Sequence, residues 1–148
     1  MAFDIVEWAA MDDSERNGFV GLVLVSHSAA IAEGLAGLVA QVAGPEVPIV
    51  TAGGGPDGSF GTDGGRVFEA LRQGAEGAGS VVLMDLGSAV LSVRAALGEL
   101  GAEFAAKLDV ADAPLVEGAI AAGVTASTGA SRDAVASAAR EARSVDKF

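Results

Sequence analysis

Strand-like and helix-like stretches alternate four times along this chain, with no hairpin signal between any two strands. The first aliphatic run, residues 20–25, is too short for a helix and β-branched enough for a buried strand. It stops at Ser26-His27-Ser28, and the Ala-rich segment that follows reads as a helix with Ser28 as its N-cap. Ile31, Leu35, Leu38, Val39 and Val42 recur there at helical spacing until Gly44-Pro45 ends the segment. Residues 47–52 form a second strand, and Pro48 near its start puts it at a sheet margin. Residues 80–85 repeat the first design, an aliphatic run ending in a polar residue, here Asp85. The helix after it is expected over about 90–100, with Leu91, Ala95 and Leu97 toward the core. A weaker strand over about 104–110 leads to Pro114 in the first turn of another helix. A last helix, about 131–144, is so thinly apolar that only partial docking is expected of it. Alternation without hairpins calls for right-handed crossovers. The predicted fold is therefore α/β: a mostly parallel sheet of four strands, or slightly more, with helices on both faces.

At 148 residues and 51% hydrophobic content the chain is long enough for a well-buried core and too short for two ordinary domains. Residues 18–148 are read as one domain, and residues 1–17 as an acidic, flexible extension that contains the only tryptophan, Trp8. The absence of cysteine removes disulfides, thiolate nucleophiles and Cys-based zinc sites, and a single histidine leaves no multi-His metal site within one chain. No metal or other cofactor is expected. A formal charge of -11 repels the phosphate backbone that dominates nucleic-acid affinity, so nucleic acid is not an expected partner. No apolar run approaches the ~20 residues of a membrane helix, and the N-terminus is acidic where a signal peptide would be basic. The expected location is cytoplasmic, with no membrane association.

The chemistry concentrates at strand ends. In a parallel sheet His27 and Asp85 finish at the same rim, where ligands of open α/β sheets bind. On neighbouring strands, the carboxylate would accept Nδ1–H, fix the tautomer and leave Nε2 with an outward lone pair. That design suits attack on phosphorus. Backbone N–H groups at the start of the Ser28 helix, and the hydroxyls of Ser26, Ser28, Thr62 and Ser88, are donors for phosphoryl oxygens. Simpler uses stand beside this one: a structural histidine, and an Asp85 that merely caps the next helix. The stretch 53–63 holds five glycines, which serve either a close backbone approach or a plain surface loop, and Thr62 or Asp63 caps the helix carrying Val67, Phe68 and Leu71. No GxxxxGK[ST] motif is present, so the loop is a poor nucleotide cradle, and the Gly-x-Ser-x-Gly elbow of a serine hydrolase is absent as well.

Four motifs in order, Val25-Ser26-His27-Ser28, Gly61-Thr62-Asp63, Met84-Asp85-Leu86-Gly87-Ser88-Ala89 and the stretch 113–119, closely resemble the phosphotransferase subunits of PEP-dependent dihydroxyacetone kinases. Those subunits are related to the mannose-type IIA domains of the bacterial sugar phosphotransferase system (PTS), and the resemblance covers roughly 20–129. It implies a homodimeric domain of the PTS IIA mannose type, whose His27 accepts a phosphoryl group from phosphorylated HPr. It implies further that the group passes to ADP held on the kinase's nucleotide-binding subunit. Asp85 would orient His27, and Ser28, Thr62 and Ser88 would bind the phosphoryl group. Some relatives carry fused HPr-like domains, so a chain ending at Phe148 is expected to use separate carriers. Two other readings remain: a IIA component that passes phosphate to the IIB protein of a sugar permease, and a regulatory docking module.

Overall fold

The computed structural model describes residues 18–148; the acidic extension expected over 1–17 lies outside the described residues. Strands β1 (Gly21–Ser26), β2 (Ile49–Gly53), β3 (Ser80–Met84) and β4 (Leu108–Val110) form one parallel sheet in the order β2-β1-β3-β4. Helices α1 (Ala29–Ala43), α2 (Gly64–Gly74), α3 (Gly87–Leu100), α4 (Ala102–Ala105), α5 (Leu115–Ala126) and α6 (Arg132–Glu141) connect and follow the strands. The strand order dictates which face each helix covers. The β1-to-β2 crossover runs one way along the sheet, whereas β2-to-β3 and β3-to-β4 run the other way, so right-handed connections put α1 opposite α2 and α3.

Two cores result. On one face Leu22, Leu24, Val81 and Leu83 pack with Leu35 and Val39 of α1, Ala119 and Ala122 of α5, and Val135 and Ala139 of α6. On the other, Val23, Val25, Val82 and Met84 pack with Val67 and Leu71 of α2 and Val93 and Ala96 of α3. Strands β1 and β3 are buried on both faces, and their residues alternate between the two cores as the period of a strand requires. Close approach depends on small residues: a Cβ on Gly53 would stand 2.8 Å from both the Ala29 Cα and the Ser28 carbonyl oxygen, so the end of β2 fits against the first turn of α1 only as glycine.

Several expected details change. On α1 the sheet takes Ala32, Leu35, Val39 and Ala43, while Ile31, Leu38 and Val42 stand about half exposed on one flank. Small alanines let the helix sit low on the sheet, which rotates the bulkier stripe outward. Helix α3 starts at Gly87, earlier than expected, and buries Ala89, Val93 and Ala96; Leu91 and Ala95 are exposed and Leu97 only partly covered. The expected fourth strand shrinks to Leu108–Val110 because Phe104 belongs to the short α4, and Pro114 is the N-cap of α5 rather than its first helical residue. Helix α6 is fully docked: Val135, Ala136 and Ala139 are buried to within 1%, because alanine side chains suffice where α6 lies close to α5.

The two faces of these helices predict opposite mutational outcomes. Leu35→Ala should cost about 2–5 kcal/mol in urea unfolding, whereas Leu91→Ala, on the outward face of α3, should stay within about 0.5 kcal/mol of the wild type.

Candidate active site

The direction of the crossovers reverses between β1 and β3, and ligands of doubly wound sheets bind at such a switch point. β1 pairs with β3 up to Val25 and Met84, and the Asp85 N–H donates to the Val25 carbonyl oxygen at 3.2 Å. That register delivers His27 and Asp85 side by side at the carboxyl rim.

The carboxylate of Asp85 gathers four donors. Oδ1 lies 2.8 Å from His27 Nδ1 and accepts the Leu86 N–H at 2.7 Å; Oδ2 accepts the Ser26 hydroxyl at 2.7 Å and the His27 backbone N–H at 3.0 Å. Burial alone would raise the Asp85 pKa. The hydrogen bonds from the His27 ring, the Ser26 hydroxyl and the two backbone N–H groups outweigh that and hold it below the ordinary carboxylate value. An ionised Asp85 can only accept at Oδ1, so the neutral ring carries its proton on Nδ1 and keeps its lone pair on Nε2. Nε2 is turned outward to the hydroxyl of Ser88, and the two side chains of the His27–Asp85 pair are 21% and 16% exposed.

The sequence-predicted residues are distributed around this pair. Ser88 is exposed on the first turn of α3, in contact with Nε2. Thr62 lies at the end of the glycine stretch and bonds the Ser92 hydroxyl on α3 at 2.8 Å. Ser28 is 8% exposed and occupied by the fold: its hydroxyl caps α1 by accepting the Ile31 N–H, and its own N–H donates to Ser26 Oγ. Asp63, rather than Thr62, caps α2. The glycine stretch is an ordered loop rather than a slack one, since the Gly61 N–H donates to the His27 carbonyl oxygen at 2.9 Å and Gly54, at φ +83°, pairs with Thr62.

Two participants were not expected from the sequence. Ser92 orients Thr62, and nothing in a helical serine advertises that role. The second is the start of α3, which has no side-chain cap and carries Ser88, whose hydroxyl meets Nε2, whereas α1 is capped by its own serine. The capless stretch Leu86-Gly87 before Ser88 was the available signal.

A doubly wound parallel α/β domain with a carboxylate-bound histidine at its switch point is the class that fold and site define. The chain belongs to the EIIA-man family, whose model, described as PTS system fructose IIA component, matches residues 21–136. The chain is 42% identical over 126 residues to the phosphoryl donor subunit DhaM of a PEP-dependent dihydroxyacetone kinase from Providencia stuartii, a match covering 83% of this chain and 26% of that protein. It is 41% identical over 119 residues to the protein of the same name from Escherichia coli K12, covering 78% and 25%. The chain thus spans about a quarter of the length of these relatives. A shorter relative from Listeria innocua, phosphoryl donor subunit DhaM of dihydroxyacetone kinase 2, is 36% identical over 116 residues, covering 78% of this chain and 93% of its own. Among solved structures, a protein of unknown function, EF1359, superimposes with a TM-score of 0.71 at 32% identity, covering 82% of this chain and 93% of that one.

A carboxylate held below its ordinary pKa stabilises the fold only while ionised. In the unfolded chain this carboxyl titrates near ~3.9, so its contribution is complete above that value and is lost as pH falls through the lower native one. The stability gap between the wild type and Asp85→Asn, measured by urea unfolding across a pH series, should be constant near neutrality and narrow on acidification below pH about 4. A gap that does not move with pH would count against the ionised carboxylate.

Proposed function

We propose that this chain is a phosphohistidine carrier in the cytoplasm, accepting a phosphoryl group on His27 Nε2 from phosphorylated HPr and passing it to ADP bound on the nucleotide-binding subunit of a dihydroxyacetone kinase. The observation that carries the reading is the 2.8 Å contact between Nδ1 and Asp85, which commits the ring to one tautomer with Nε2 outward. The Nε2 lone pair attacks the phosphorus, the N–P bond to Nε2 forms, and the donor's N–P bond breaks, its electron pair returning to the donor ring. Asp85 stabilises the positive charge that builds on the His27 ring during attack. The Ser88 hydroxyl turns from Nε2 to a phosphoryl oxygen, and the uncapped start of α3 offers N–H groups to the others. Thr62, held by Ser92, follows the Gly61 that bonds the His27 carbonyl oxygen, and Ser28 contributes by capping α1, the helix that begins just after the ring. In the second half-reaction an oxygen of the ADP β-phosphate attacks, the Nε2–P bond breaks and ATP forms.

The relatives' names, phosphoryl donor subunits of dihydroxyacetone kinases, support this acceptor. The family description, a PTS fructose IIA component, supports a second reading in which a IIB protein of a sugar permease takes the phosphate. A homodimer is part of the proposal. Its support is a surface shared by two adjacent helices: Ile31, Leu38 and Val42 of α1 and Val116 and Val124 of α5 are each about half exposed, beside the close contact of Gly123 with Val39. Large exposed apolar areas of this kind mark interfaces.

Incubation with phosphoenolpyruvate, enzyme I and HPr should give an acid-labile, base-stable phosphate that is lost in His27→Ala; its survival there would refute the site. Asp85→Asn should remain folded and accept phosphate about 10²-fold more slowly, the scale on which a misplaced reacting group loses rate. Dihydroxyacetone phosphate formed in a mixture reconstituted with the kinase subunits separates the first acceptor from the second.

A further inference from the structure

Three large apolar side chains are exposed on the segments that flank His27: Phe60 is 86% exposed, Leu86 62% and Leu91 66%. Each is tied through the chain to an atom of the site. Leu86 follows Asp85 and donates its N–H to that carboxylate. Leu91 lies one helical turn beyond Ser88, whose hydroxyl meets Nε2. Phe60 precedes Gly61, whose N–H holds the His27 carbonyl oxygen. The loop that carries Phe60 is internally bonded, with the Gly55 N–H on the Ser59 carbonyl oxygen at 2.7 Å, the Gly58 N–H on the Gly55 carbonyl oxygen at 3.1 Å, and the Ser59 N–H on the Asp57 carboxylate at 3.1 Å. Single exposed apolar residues are ordinary on protein surfaces. Three on the segments that hold one reactive ring, one of them a phenyl ring on an internally bonded loop, are an interface pattern.

We propose that Phe60, Leu86 and Leu91 form the docking collar for a histidine-phosphorylated carrier protein, with Phe60 as the anchor that enters an apolar recess on that partner. This rests on the reading of His27 as a phosphoryl acceptor. The occupant follows from reach. Transfer requires the phosphorus within ~3–3.5 Å of the attacking atom, and the His27 side chain is only 21% exposed. A protein that brings its phosphate so close to a recessed ring must lie across the residues flanking it, whereas a small free donor need not. Charge narrows the partner further: Asp57 shares the loop with Phe60 and the chain carries -11, so the recess that fits is rimmed with basic residues. An aromatic side chain at the centre of a desolvated patch is the usual bearer of binding energy.

The test compares wild type, Phe60→Ala and Leu91→Ala with two donors: phosphorylated HPr over a range of concentrations, and phosphoramidate, which reaches the ring without docking. The collar predicts that kcat/KM with phosphorylated HPr falls about tenfold or more in Phe60→Ala, through KM, with the phosphoramidate rate and the melting temperature unchanged. Wild-type kcat/KM with phosphorylated HPr in both variants overturns the collar. So does an equal loss with both donors, which makes these residues supports of the ring. A wild-type chain that accepts phosphate from phosphoramidate but not from phosphorylated HPr overturns the carrier as occupant while leaving His27 an acceptor. One that accepts from neither overturns the reading of His27 itself.

Discussion

One carboxylate joins the two central strands at the place where chemistry is possible. Asp85 follows β3, and three of the four donors on its oxygens come from the end of β1: the Ser26 hydroxyl, the His27 N–H and the His27 ring. A carboxylate this covered is costly without partners. With both oxygens doubly engaged it remains ionised, and the same bonds that stabilise it select the histidine tautomer. The group that orients the ring is therefore also the group that fastens β1 to β3 at the rim.

That arrangement is possible only because β1 and β3 are neighbours although β2 lies between them in sequence. Reversal of crossover direction sends α1 to one face and α3 to the other, so the two helices diverge from adjacent strand ends and leave a crevice between them. Their starts differ in a way that matters. Ser28 caps α1 and is used up by the fold, while α3 begins at Leu86 with no side-chain cap. The electropositive end available to an anion is consequently that of α3, on the Asp85 side of the ring.

The sheet and its direction were legible in the sequence because aliphatic runs with no hairpin between them admit few topologies; parallel strands put His27 and Asp85 at one rim, and the adjacency of β1 and β3 that pairs them came only with the structure. Two kinds of detail were not legible. Helical spacing identified α1 as amphipathic but did not reveal which of two apolar stripes faces inward: Ala32, Leu35, Val39 and Ala43 went to the sheet, and Ile31, Leu38 and Val42 to the flank. The thin apolar content of α6 concealed its docking for the same reason, since alanines at close range bury a helix as completely as leucines do at longer range. Within the site, a buried serine before His27 read as one more donor for a ligand. Ser26 instead bridges Asp85 Oδ2 and the Ser28 N–H, a partnership that depends on a residue 59 positions away.

The backbone of His27 is held at both ends of the residue. Its N–H is bound by Asp85 and its carbonyl oxygen by the Gly61 N–H, while the ring is gripped through Nδ1. Little remains for this residue to do except stay still. A carrier that shuttles groups between two proteins is often pictured as a swinging arm; a ring held in this way has no joint. In the proposed transfer, donor and acceptor therefore come to a stationary nitrogen from the same side, in turn and never together.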